Sequence, residues 1–323
     1  MPEISPSVLI IRLDAIGDAL ALTPLLAALH AMSIPVDVVL RPGNAGVFSS
    51  RAVRSVVVGD FDLRSNRPPN LAAIERLGER LATRRYTHAL VATEDPGGYR
   101  LALASQAPAR IGFSNAWGKP AKALWLRRFL TQSIYRSAGL DRRAPHECQV
   151  LFRLGGALLG STAEPTRDAA QLRPLVLESQ PRPDDRIAVQ ITDKWERLGI
   201  AFEQVVDVVR RVGAFGLPRL IAATAESAYS ARIASATGFA VESFDATQPW
   251  KDAVAAAPAL VAPDCGALHL AGMLGTPAVG VFPAEPHFAL QVARWAPWAA
   301  PHRIVRADEG WPRRVSDALA TLL

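Results

Sequence analysis

The sequence predicts an α/β fold made of two Rossmann-like halves, each with a parallel sheet. Apolar runs of strand length alternate with helix-like segments almost from end to end, which is the order expected of βαβ units. A segment rich in Pro, Arg and Asp, residues 160–185, interrupts this order near the middle of the chain. The length of 323 residues exceeds the usual size of one compact domain. We therefore expect an N-terminal domain over residues 1–173 and a C-terminal domain over residues 174–323.

The first half begins with an apolar strand and a helix that follows a tight turn at Gly17. Strands are predicted at residues 7–13, 35–40, 54–58 and 88–93, and helices at residues 18–32, 71–84 and 148–159. Residues 97–145 are harder to interpret, and their basic, Trp-bearing stretch is read as a loop plus a helix over the open end of the sheet. The N-terminal run superficially resembles a signal peptide, but no basic segment precedes it and charged residues interrupt it.

The second half repeats the alternation after the predicted linker. Strands are predicted at residues 187–191, 219–223, 240–244, 260–262 and 278–282, and helices at residues 202–212, 226–237, 250–256 and 267–274. A last amphipathic helix at residues 312–323 closes the chain, either within its own domain or packed back on the N-terminal domain.

Composition limits the classes of function. Two cysteines, Cys148 and Cys265, and six scattered histidines give neither a disulfide framework nor metal-ligand spacing. We therefore expect a reducing, cytoplasmic location, with no metal and no cofactor. No apolar run reaches the length of a membrane-spanning helix without a charge, so we expect a soluble protein.

Charge is distributed unevenly along the chain. Residues 1–174 carry 22 Lys/Arg and 14 Asp/Glu, whereas residues 175–323 carry 14 and 16. The basic N-terminal half indicates an anionic partner, such as a phosphorylated glycolipid, a membrane surface or nucleic acid. Arginines that merely decorate solvated faces explain the same numbers equally well.

Three strand-to-helix turns carry polar residues at the carboxyl ends of predicted strands, where open α/β sheets bind ligands. The first turn places Asp18 at the start of a helix. An acid at this position also has an ordinary explanation, because it interacts favourably with the helix dipole and caps free amides. The turn has one glycine where a dinucleotide fingerprint has three, so an NAD site is not supported.

The second turn combines an acid, small residues and a histidine: Asp264, Cys265, Gly266, Ala267 and His269. The predicted helix starts directly after the small residues, so its free amides and dipole form a cradle for a diphosphate. His269 lies about one turn into the helix, within reach of a phosphate or glycosidic oxygen. The structural alternatives are a capping Asp264, a packing Gly266 and a core histidine.

The third turn places Lys194 after the first strand of the C-terminal half. Lys194 is one of four lysines in a chain that otherwise uses arginine. An ammonium suits a point contact to phosphate, although a lone lysine is usually a surface residue. Glu226 follows the next strand, where its carboxylate suits either ribose hydroxyls or the first turn of its own helix.

Two long runs now resemble a known family. VLIIRLDAIGDALALTPLLAAL and PDCGALHLAGMLGTPAVGVFP resemble the two signatures of glycosyltransferase family 9, the lipopolysaccharide heptosyltransferases. DPGGYRLALASQAPARIGF and HECQVLFRLGGALLG resemble two further segments of that family, so the resemblance spans roughly residues 8–320. It implies a GT-B fold, in which two Rossmann-like domains face each other across a cleft. It also implies inverting, metal-independent transfer of heptose from ADP-heptose to the inner core of lipopolysaccharide.

The resemblance also implies roles for single residues. Asp18 matches the general base for the acceptor hydroxyl, and Thr23 and Arg100 are assigned to the acceptor side. Lys194 matches a contact to the donor phosphates, and Glu226 matches a contact to the adenosine ribose. The remaining donor-pocket residues are Asp264, Cys265, Gly266, Ala267 and His269. The implied partners are an ADP-sugar co-substrate and an anionic, Kdo-bearing glycolipid reached at the inner face of the inner membrane, with no nucleic acid.

The chain departs from the family pattern at all three of these turns, and the Lys194 turn is shorter than the usual Gly-rich version. Asp14 and Ala15 stand where the family usually has two small hydroxyl residues, and Cys265 replaces the usual Ser or Thr. The alternatives are therefore a different nucleotide-sugar donor or acceptor, in a capsule, a secondary metabolite or a protein, and a non-catalytic GT-B binding protein. A nicotinamide oxidoreductase is the weakest alternative because the glycines are missing.

Overall fold

The structure is a computed structural model that describes residues 5–62, 64–137, 145–160 and 162–323. The chain divides into two compact units, Met1–Thr166 and Arg167–Leu323, so the boundary lies shortly before the predicted division. In the described part of the chain, every helix is too short or too polar to span a bilayer. We refer to the two parts as the N-terminal unit and the C-terminal unit.

The N-terminal unit is built on a six-stranded parallel sheet. Strands β1 to β6 are Val8–Ile11, Val36–Leu40, Ser55–Val58, His88–Val91, Ala109–Ser114 and Gln132–Tyr135. Their order in the sheet is β3-β2-β1-β4-β5-β6, which is the Rossmann order. All four residues of β1 are buried, as expected for a central strand covered by helices on both faces.

Helices flank this sheet. Helices α1 to α7 are Ile16–Leu20, Thr23–Ala31, Pro68–Ala82, Pro96–Ala104, Pro120–Leu126, Glu147–Phe152 and Gly156–Leu159. Proline occupies the first turn of α2, α3, α4 and α5, where its missing N–H costs no hydrogen bond. Helix α3 packs against α4. On one face of the sheet, side chains of β1 and β4 form a single core cluster with side chains of α3 and α4.

Two predictions for the N-terminal unit need correction. The single helix predicted at residues 18–32 is two helices, because the chain turns between Leu20 and Thr23 and the Thr23 hydroxyl donates to the Leu20 carbonyl at 2.6 Å. The basic stretch read as loop plus helix contains the helix α5, as predicted, but α4 and the strands β5 and β6 of the same region were missed. Part of that region, residues 138–144, lies outside the described residues.

The C-terminal unit repeats the same sheet. Strands β7 to β12 are Ala188–Gln190, Arg219–Ala223, Val241–Phe244, Leu260–Pro263, Ala278–Pro283 and His302–Ala307. Their order is β12-β11-β10-β7-β8-β9 and every pair is parallel. Read from the other edge, this is again the Rossmann order. The predicted α/β class with two parallel sheets is confirmed.

Helices α8 to α15 are Ala169–Val176, Lys194–Arg197, Phe202–Gly213, Ser227–Thr237, Thr247–Ala256, Gly266–Leu274, Phe288–Trp295 and Trp311–Leu322. Helix α10 shows why a valine-rich segment folds as a helix. Its valines recur with helical spacing and are buried, whereas glutamate, aspartate and arginine occupy the other face. Helix α15 packs on α10, β11 and β12 of its own unit.

The predicted linker, residues 160–185, is not structureless. It contains helix α8, which begins after Asp168, whose carboxylate accepts from the Ala170 amide at 2.9 Å, and which packs on α13. The prediction also missed α9, α14 and the edge strand β12. The strand and helix ends that carry the candidate turns, by contrast, lie within a few residues of their predicted positions.

Candidate functional site

The first candidate site lies in the N-terminal unit at the point where the strand order reverses. Strands β1 and β4 are neighbours in the sheet, and their following helices are α1 and α4. Open α/β sheets bind ligands outside the carboxyl ends of the strands at such a switch point. A pocket of about 980 Å³ opens here. Its charged lining residues are Asp14, Asp18, Arg41, Asp60, Asp62, Arg64 and Asp95.

A buried arginine organises the two carboxylates that follow β1. Arg12 is 4% exposed, and its Nη2 lies 2.7 Å from Asp18 Oδ1 while its Nε lies 3.2 Å from Asp14 Oδ2. The third contact is a hydrogen bond that Arg12 Nη1 donates to the Ala92 carbonyl at the end of β4. One guanidinium therefore joins the ends of β1 and β4 and holds both carboxylates at the pocket.

Asp18 has a second partner besides Arg12. Its Oδ2 accepts a hydrogen bond from the Ala15 amide at 3.2 Å, at the N-terminus of α1. The side chain therefore acts as the structural explanation predicts, as an acid in the first turn of a helix. It also lines the pocket, so the two explanations coexist: the helix and Arg12 fix the position of a carboxylate that remains open to a ligand.

Asp14 differs from Asp18 in its surroundings. Burial raises the pKa of Asp14, and the neighbouring carboxylates of Asp18 and Asp95 raise it further, whereas Arg12 and the Thr93 hydroxyl lower it. The net pKa lies above the ordinary value. Thr93 Oγ1 is 3.3 Å from Asp14 Oδ1, and Asn44 donates to the backbone carbonyl of Asp14 at 2.6 Å. Asp14 is therefore a fixed carboxyl that holds its proton more strongly than an aspartate in water.

Behind Arg12 lies a chain of ion pairs. Glu147, at the start of α6, is fully buried, and its Oε1 is 3.6 Å from Arg12 Nη2. Its Oε2 accepts from Arg136 Nη2 at 3.0 Å. Arg136 also forms an ion pair with Glu94, with 3.2 Å between Nε and Oε1. Glu94 in turn pairs with Lys122, with 2.7 Å between Oε2 and Nζ. Buried charges of this kind fold only when paired, so Arg12 is tied to the interior of the unit as well as to the pocket.

The two residues assigned to the acceptor side lie away from the pocket lining. Thr23 is fully buried, and its hydroxyl donates to the Leu20 carbonyl. The structure thus gives it a role in the turn between α1 and α2 rather than on a surface that an acceptor reaches. Arg100 lies on α4 and donates from Nη1 to Asn66 Oδ1 at 2.8 Å. It is not among the residues that line the pocket.

The second candidate site lies at the corresponding switch point of the C-terminal unit, between β7 and β10. Asp264 follows β10, and His269 Nε2 lies 3.6 Å from Asp264 Oδ1. Burial raises the pKa of Asp264, but the His269 imidazole and the Lys194 charge outweigh it and hold the net pKa below its ordinary value. Lys194 follows β7, which pairs with β10 in the sheet, so the structure brings together two turns that the sequence separates by about seventy residues.

Helix α13 begins directly after the small residues of the Asp264 turn, as predicted. Cys265 is the N-cap of α13, and its carbonyl accepts from the Leu268 and His269 amides at 3.1 and 3.4 Å. Within the part of the chain that the structure describes, the Gly266 and Ala267 amides donate to no backbone carbonyl. First-turn amides without a backbone acceptor, at the positive end of a nine-residue helix, favour an anion.

The Cys265 thiol stays protonated at neutral pH. Burial is the main cause, and it raises the pKa of the thiol to about 11. The side chain therefore adds no negative charge to the cradle. His269, one turn further along α13, packs its ring against Trp295 with 5.4 Å between ring centroids. The His269 ring is thus held by packing on one side, while its Nε2 faces the Asp264 carboxylate.

Glu226 supports the Lys194 turn from the neighbouring strand. Its Oε1 accepts from the Thr192 hydroxyl at 2.9 Å, and its Oε2 accepts from the Asp193 amide at 2.9 Å. The Thr192 hydroxyl in turn accepts from the Lys194 amide at 3.2 Å. Both carboxylate oxygens of Glu226 thus hold the turn that presents Lys194, and each keeps a lone pair for a further donor.

Several pocket residues were missed from the sequence. Asp60 and Asp62 follow β3 and Asp95 follows β4, so each stands just beyond the carboxyl end of a strand. That position is itself a signal for a ligand site in an open sheet. Arg12 had no such signal, because an arginine at the end of an apolar run reads as the exposed end of a strand. In the described part of the chain, no group of three or more His, Cys, Asp or Glu side chains is arranged to hold a metal ion.

Comparison with known proteins gives a result at the level of structure. Neither protein-family models nor curated proteins match the chain. A glycosyl transferase family 9 protein from Veillonella parvula matches with a TM-score of 0.75 and 16% identity, over 100% of this chain and 98% of that protein. The E. coli heptosyltransferase WaaC with ADP matches with a TM-score of 0.74 and 19% identity, over 98% of this chain and 100% of WaaC. The chain has the GT-B fold.

The GT-B fold carries more than one chemistry. A UDP-N-acetylglucosamine 2-epimerase also matches, with a TM-score of 0.55 and 12% identity, over 98% of this chain and 87% of that protein. Because one fold hosts different reactions, the activity of this GT-B chain has to be argued from its own side chains.

Proposed function

We propose that this GT-B chain is an inverting glycosyltransferase that moves a sugar from a nucleotide-diphosphate donor to an acceptor hydroxyl without a metal ion. The observation that carries the proposal is the juxtaposition of the Lys194 and Asp264 turns at the switch point of the C-terminal unit, because β7 and β10 are paired neighbours in the sheet. It unites a cation, an imidazole and the first amides of α13 where a diphosphate fits.

The donor half of the reaction needs groups that neutralise the departing diphosphate. Lys194 supplies a full positive charge, and the Gly266 and Ala267 amides supply aligned dipoles. His269 lies beside Asp264 and is placed to donate to a phosphate or glycosidic oxygen. Glu226, which braces the Lys194 turn, is assigned to the ribose hydroxyls of the nucleotide.

The acceptor half needs one base. In the proposed step the acceptor oxygen attacks the anomeric carbon as the bond from that carbon to the diphosphate oxygen breaks. The hydroxyl proton passes to the Asp18 carboxylate, and the nucleoside diphosphate leaves with the electron pair. Attack opposite the leaving group inverts the anomeric centre. Arg12 fixes the Asp18 carboxylate and is a positioning residue in this scheme.

For the donor we propose ADP-heptose, and for the acceptor an inner-core lipopolysaccharide sugar. Support comes from the four sequence segments that resemble the heptosyltransferases and from the shared fold with WaaC, which binds ADP. Thermal unfolding with ADP-heptose, UDP-sugars and GDP-sugars tests the donor, because a ligand raises the melting temperature according to its saturation. A larger shift with a UDP- or GDP-sugar would replace ADP-heptose as the donor.

The pocket of the N-terminal unit favours a second candidate acceptor. Its lining has five aspartates, Asp14, Asp18, Asp60, Asp62 and Asp95, against two arginines, Arg41 and Arg64. This lining repels a strongly anionic group and favours a neutral or amine-bearing sugar. Turnover with a phosphorylated core acceptor against an amino-sugar acceptor of the same size distinguishes the two, since only one is attracted by this field.

The decisive experiment separates binding from turnover. In the proposed scheme Asp18→Asn lowers kcat by roughly 10²- to 10⁴-fold with little change in donor affinity, whereas Lys194→Ala weakens donor binding. Asp317→Asn, an exposed acid on α15, and Lys119→Ala, an exposed lysine of the N-terminal unit, are the matched controls. Donor binding without turnover in the wild-type protein, with every acceptor tried, would favour the non-catalytic alternative.

A further inference from the structure

One edge of the N-terminal sheet lies in a stretch of sequence with no acid. Between Asp95 and Asp141 the chain carries seven Lys/Arg residues and no Asp or Glu. The stretch includes β5, α5 and the edge strand β6. A segment of this length without a carboxylate gives the edge a positive field that its own side chains do not cancel.

Large apolar side chains on this edge face solvent. Trp117 is 93% exposed, Leu124 on α5 is 67% exposed and Tyr135 at the end of β6 is 64% exposed. A folded chain normally buries residues of this size at least in part. Helix α5 turns its other side inward, since Leu126 is buried and Trp125 packs on Phe129 at 4.5 Å between centroids. Leu124 is therefore displayed by a helix whose other side is packed.

The three apolar side chains lie on one edge of the unit. Tyr135 is the register partner of Ser114, the last residue of β5. Trp117 follows Ser114 by three residues, and α5 begins at Pro120 and packs on β5. A cavity of about 340 Å³ is lined by Ser114 at the end of β5, by Ala123 and Leu126 of α5, and by the start of β6. Trp117 and Tyr135 thus lie near the carboxyl end of β5 and β6, and Leu124 lies on the helix beside these strands.

Positive charges alternate with these apolar groups. Lys122 and Arg136 are paired with Glu94, and Arg136 is also paired with Glu147. Lys119, Arg127 and Arg128 are exposed and pair with no acid among the described residues. We name the resulting group the β6-edge surface; it comprises Trp117, Lys119, Leu124, Arg127, Arg128 and Tyr135.

We propose that the β6-edge surface docks on an anionic lipid bilayer. Tryptophan and tyrosine favour the boundary between headgroups and hydrocarbon, because each ring has an apolar body and a polar tip. Lysine and arginine beside them are attracted by anionic headgroups. Stable peripheral binding needs both an apolar and an electrostatic contribution, and this surface supplies both within one ordered edge.

The same chemistry argues against other occupants. A second copy of the chain would bring three more unpaired cations against Lys119, Arg127 and Arg128, and like charges repel at this distance. Single-stranded nucleic acid prefers aromatic platforms on which bases stack, whereas Leu124 offers only an aliphatic side chain. A bilayer buries both the aliphatic side chain of Leu124 and the indole ring of Trp117. The inference goes beyond the proposed transferase activity and does not require it.

Vesicle flotation with the full-length chain tests the proposal in the absence of any donor or acceptor. We expect binding to vesicles of phosphatidylglycerol and phosphatidylcholine mixed in roughly equal parts, weak binding to phosphatidylcholine alone, and release at about 1 M salt. Lys119→Glu, Arg127→Glu and Arg128→Glu combined should weaken the binding by at least about 100-fold. Trp117→Ser with Leu124→Ser should weaken it by about tenfold even at low salt.

Matched controls carry the same chemical changes elsewhere. Arg51→Glu, Arg76→Glu and Arg313→Glu combined alter exposed arginines by the same charge, and Phe215→Ser with Leu217→Ser alters two exposed apolar residues of the C-terminal unit. Both controls should bind vesicles like the wild type, and urea unfolding should show that all variants are folded.

Three outcomes would overturn the proposal. The first is an absence of vesicle binding by the wild-type chain. The second is an equal loss of binding in the control variants, which would indicate net charge rather than this surface. The third is binding of the β6-edge surface to an oligonucleotide or to a second copy of the chain, without binding to lipid. If the wild-type chain binds vesicles but shows no transferase activity, only the proposed function is overturned.

Discussion

Arg12 Nη2 lies 2.7 Å from Asp18 Oδ1, so the carboxylate proposed as the base is ion-paired with an arginine that is itself almost completely buried. Two structural elements meet in this contact, the end of the central strand β1 and the first turn of α1. Arg12 also approaches Glu147 and donates to the Ala92 carbonyl. The position of Asp18 is therefore set by the interior of the N-terminal unit and is little affected by the solvent side of the pocket.

Replacing Arg12 by methionine should destabilise the protein strongly. Methionine has a similar length but leaves the buried Glu147 and the half-buried Asp18 without this cation. Removing one partner of a buried ion pair typically costs about 3 to 5 kcal/mol. Urea unfolding measures the change, and Arg51→Met, at an exposed arginine, is the control that should change stability by less than about 0.5 kcal/mol. A loss below about 1 kcal/mol for Arg12→Met would show that the pairs are not coupled to folding.

Asp14→Asn should stabilise the protein increasingly as the pH rises. Burial, the main cause, raises the pKa of Asp14 above its ordinary value of 3.8 in the folded state. The native state then holds its proton at pH values where the unfolded chain has lost it, so the contribution of Asp14 to stability falls as the pH rises through the folded pKa. Asparagine does not titrate. The stability of Asp14→Asn relative to wild type should therefore grow between pH 3 and pH 7.

Urea unfolding at several pH values measures this difference. Asp317→Asn, at an exposed acid, should show a difference from wild type that stays flat over the same range. If the Asp14→Asn difference shrank as the pH rose, the attraction of Arg12 would outweigh the burial of Asp14, and the sign of the pKa shift would be reversed.

The buried strands were predictable from the sequence because a central parallel strand is a short apolar run. The predicted strand at residues 219–223 coincides with β8, Arg219–Ala223, and helix α10 was found from its period. Strands β5, β6 and β12 were missed, although the edge strands β3 and β9 were predicted. Gln132–Tyr135 has two exposed polar residues and an exposed tyrosine, and His302–Ala307 has one buried residue, Val305, among two arginines and a histidine. Such strands lack the continuous apolar run of a strand that is buried on both faces.

The candidate site was predicted unevenly for a similar reason. Turns give local signals, so the positions of Asp18, Lys194 and Asp264 after strands could be read directly. The ion pair of Arg12 with Asp18 and the bracing of the Lys194 turn by Glu226 depend on strands that are neighbours only in the folded sheet. The burial of Thr23 likewise follows from the break between α1 and α2. The sequence pattern of residues 18–32 predicts one continuous helix and gives no sign of this break.

Cys265→Ser should tighten binding of the nucleoside diphosphate. The thiol is a weak hydrogen-bond donor, and burial raises its pKa to about 11, so it stays neutral and contributes little to an anion. A serine hydroxyl at the N-cap of α13 adds one ordinary hydrogen bond, about 1 kcal/mol, or roughly a fivefold lower Kd for ADP. Calorimetric titration measures the Kd. Cys148→Ser, in the other unit, is the control and should leave the Kd unchanged. Weaker binding by Cys265→Ser would place the phosphates away from this cap.

Glu226→Gln should weaken ADP binding by loosening the Lys194 turn. The carboxylate accepts from both the Thr192 hydroxyl and the Asp193 amide, and an amide offers only one oxygen for these two donors. We expect a Kd for ADP that is roughly tenfold higher. Comparing ADP with inorganic pyrophosphate separates two causes: a loss shared by both ligands indicates a displaced Lys194, whereas a loss confined to ADP indicates a direct ribose contact. Glu203→Gln, at an exposed acid on α10, is the control, and equal Kd values for Glu226→Gln and wild type would exclude both roles.

Lys251→Met should show a pH dependence of the opposite sign to Asp14→Asn. Lys251 on α12 is 1% exposed and donates to the Val176 carbonyl at the end of α8 at 2.6 Å. Burial, the main cause, lowers its pKa from 10.5 to about 8. Between these two values the unfolded chain holds the proton and the native state does not, so wild-type stability should rise with pH by about 3 kcal/mol relative to Lys251→Met.

Urea unfolding at pH 7 and at about pH 10.5 measures this rise, because effects of other titrating groups cancel in the difference between variant and wild type. The lost hydrogen bond to Val176 adds an offset that does not change with pH. Lys119→Met, at an exposed lysine, should give a flat difference. A flat difference for Lys251→Met as well would mean that the Lys251 ammonium stays charged in the folded state up to its ordinary pKa. The Val176 carbonyl would then compensate the ammonium for the water that it loses on burial.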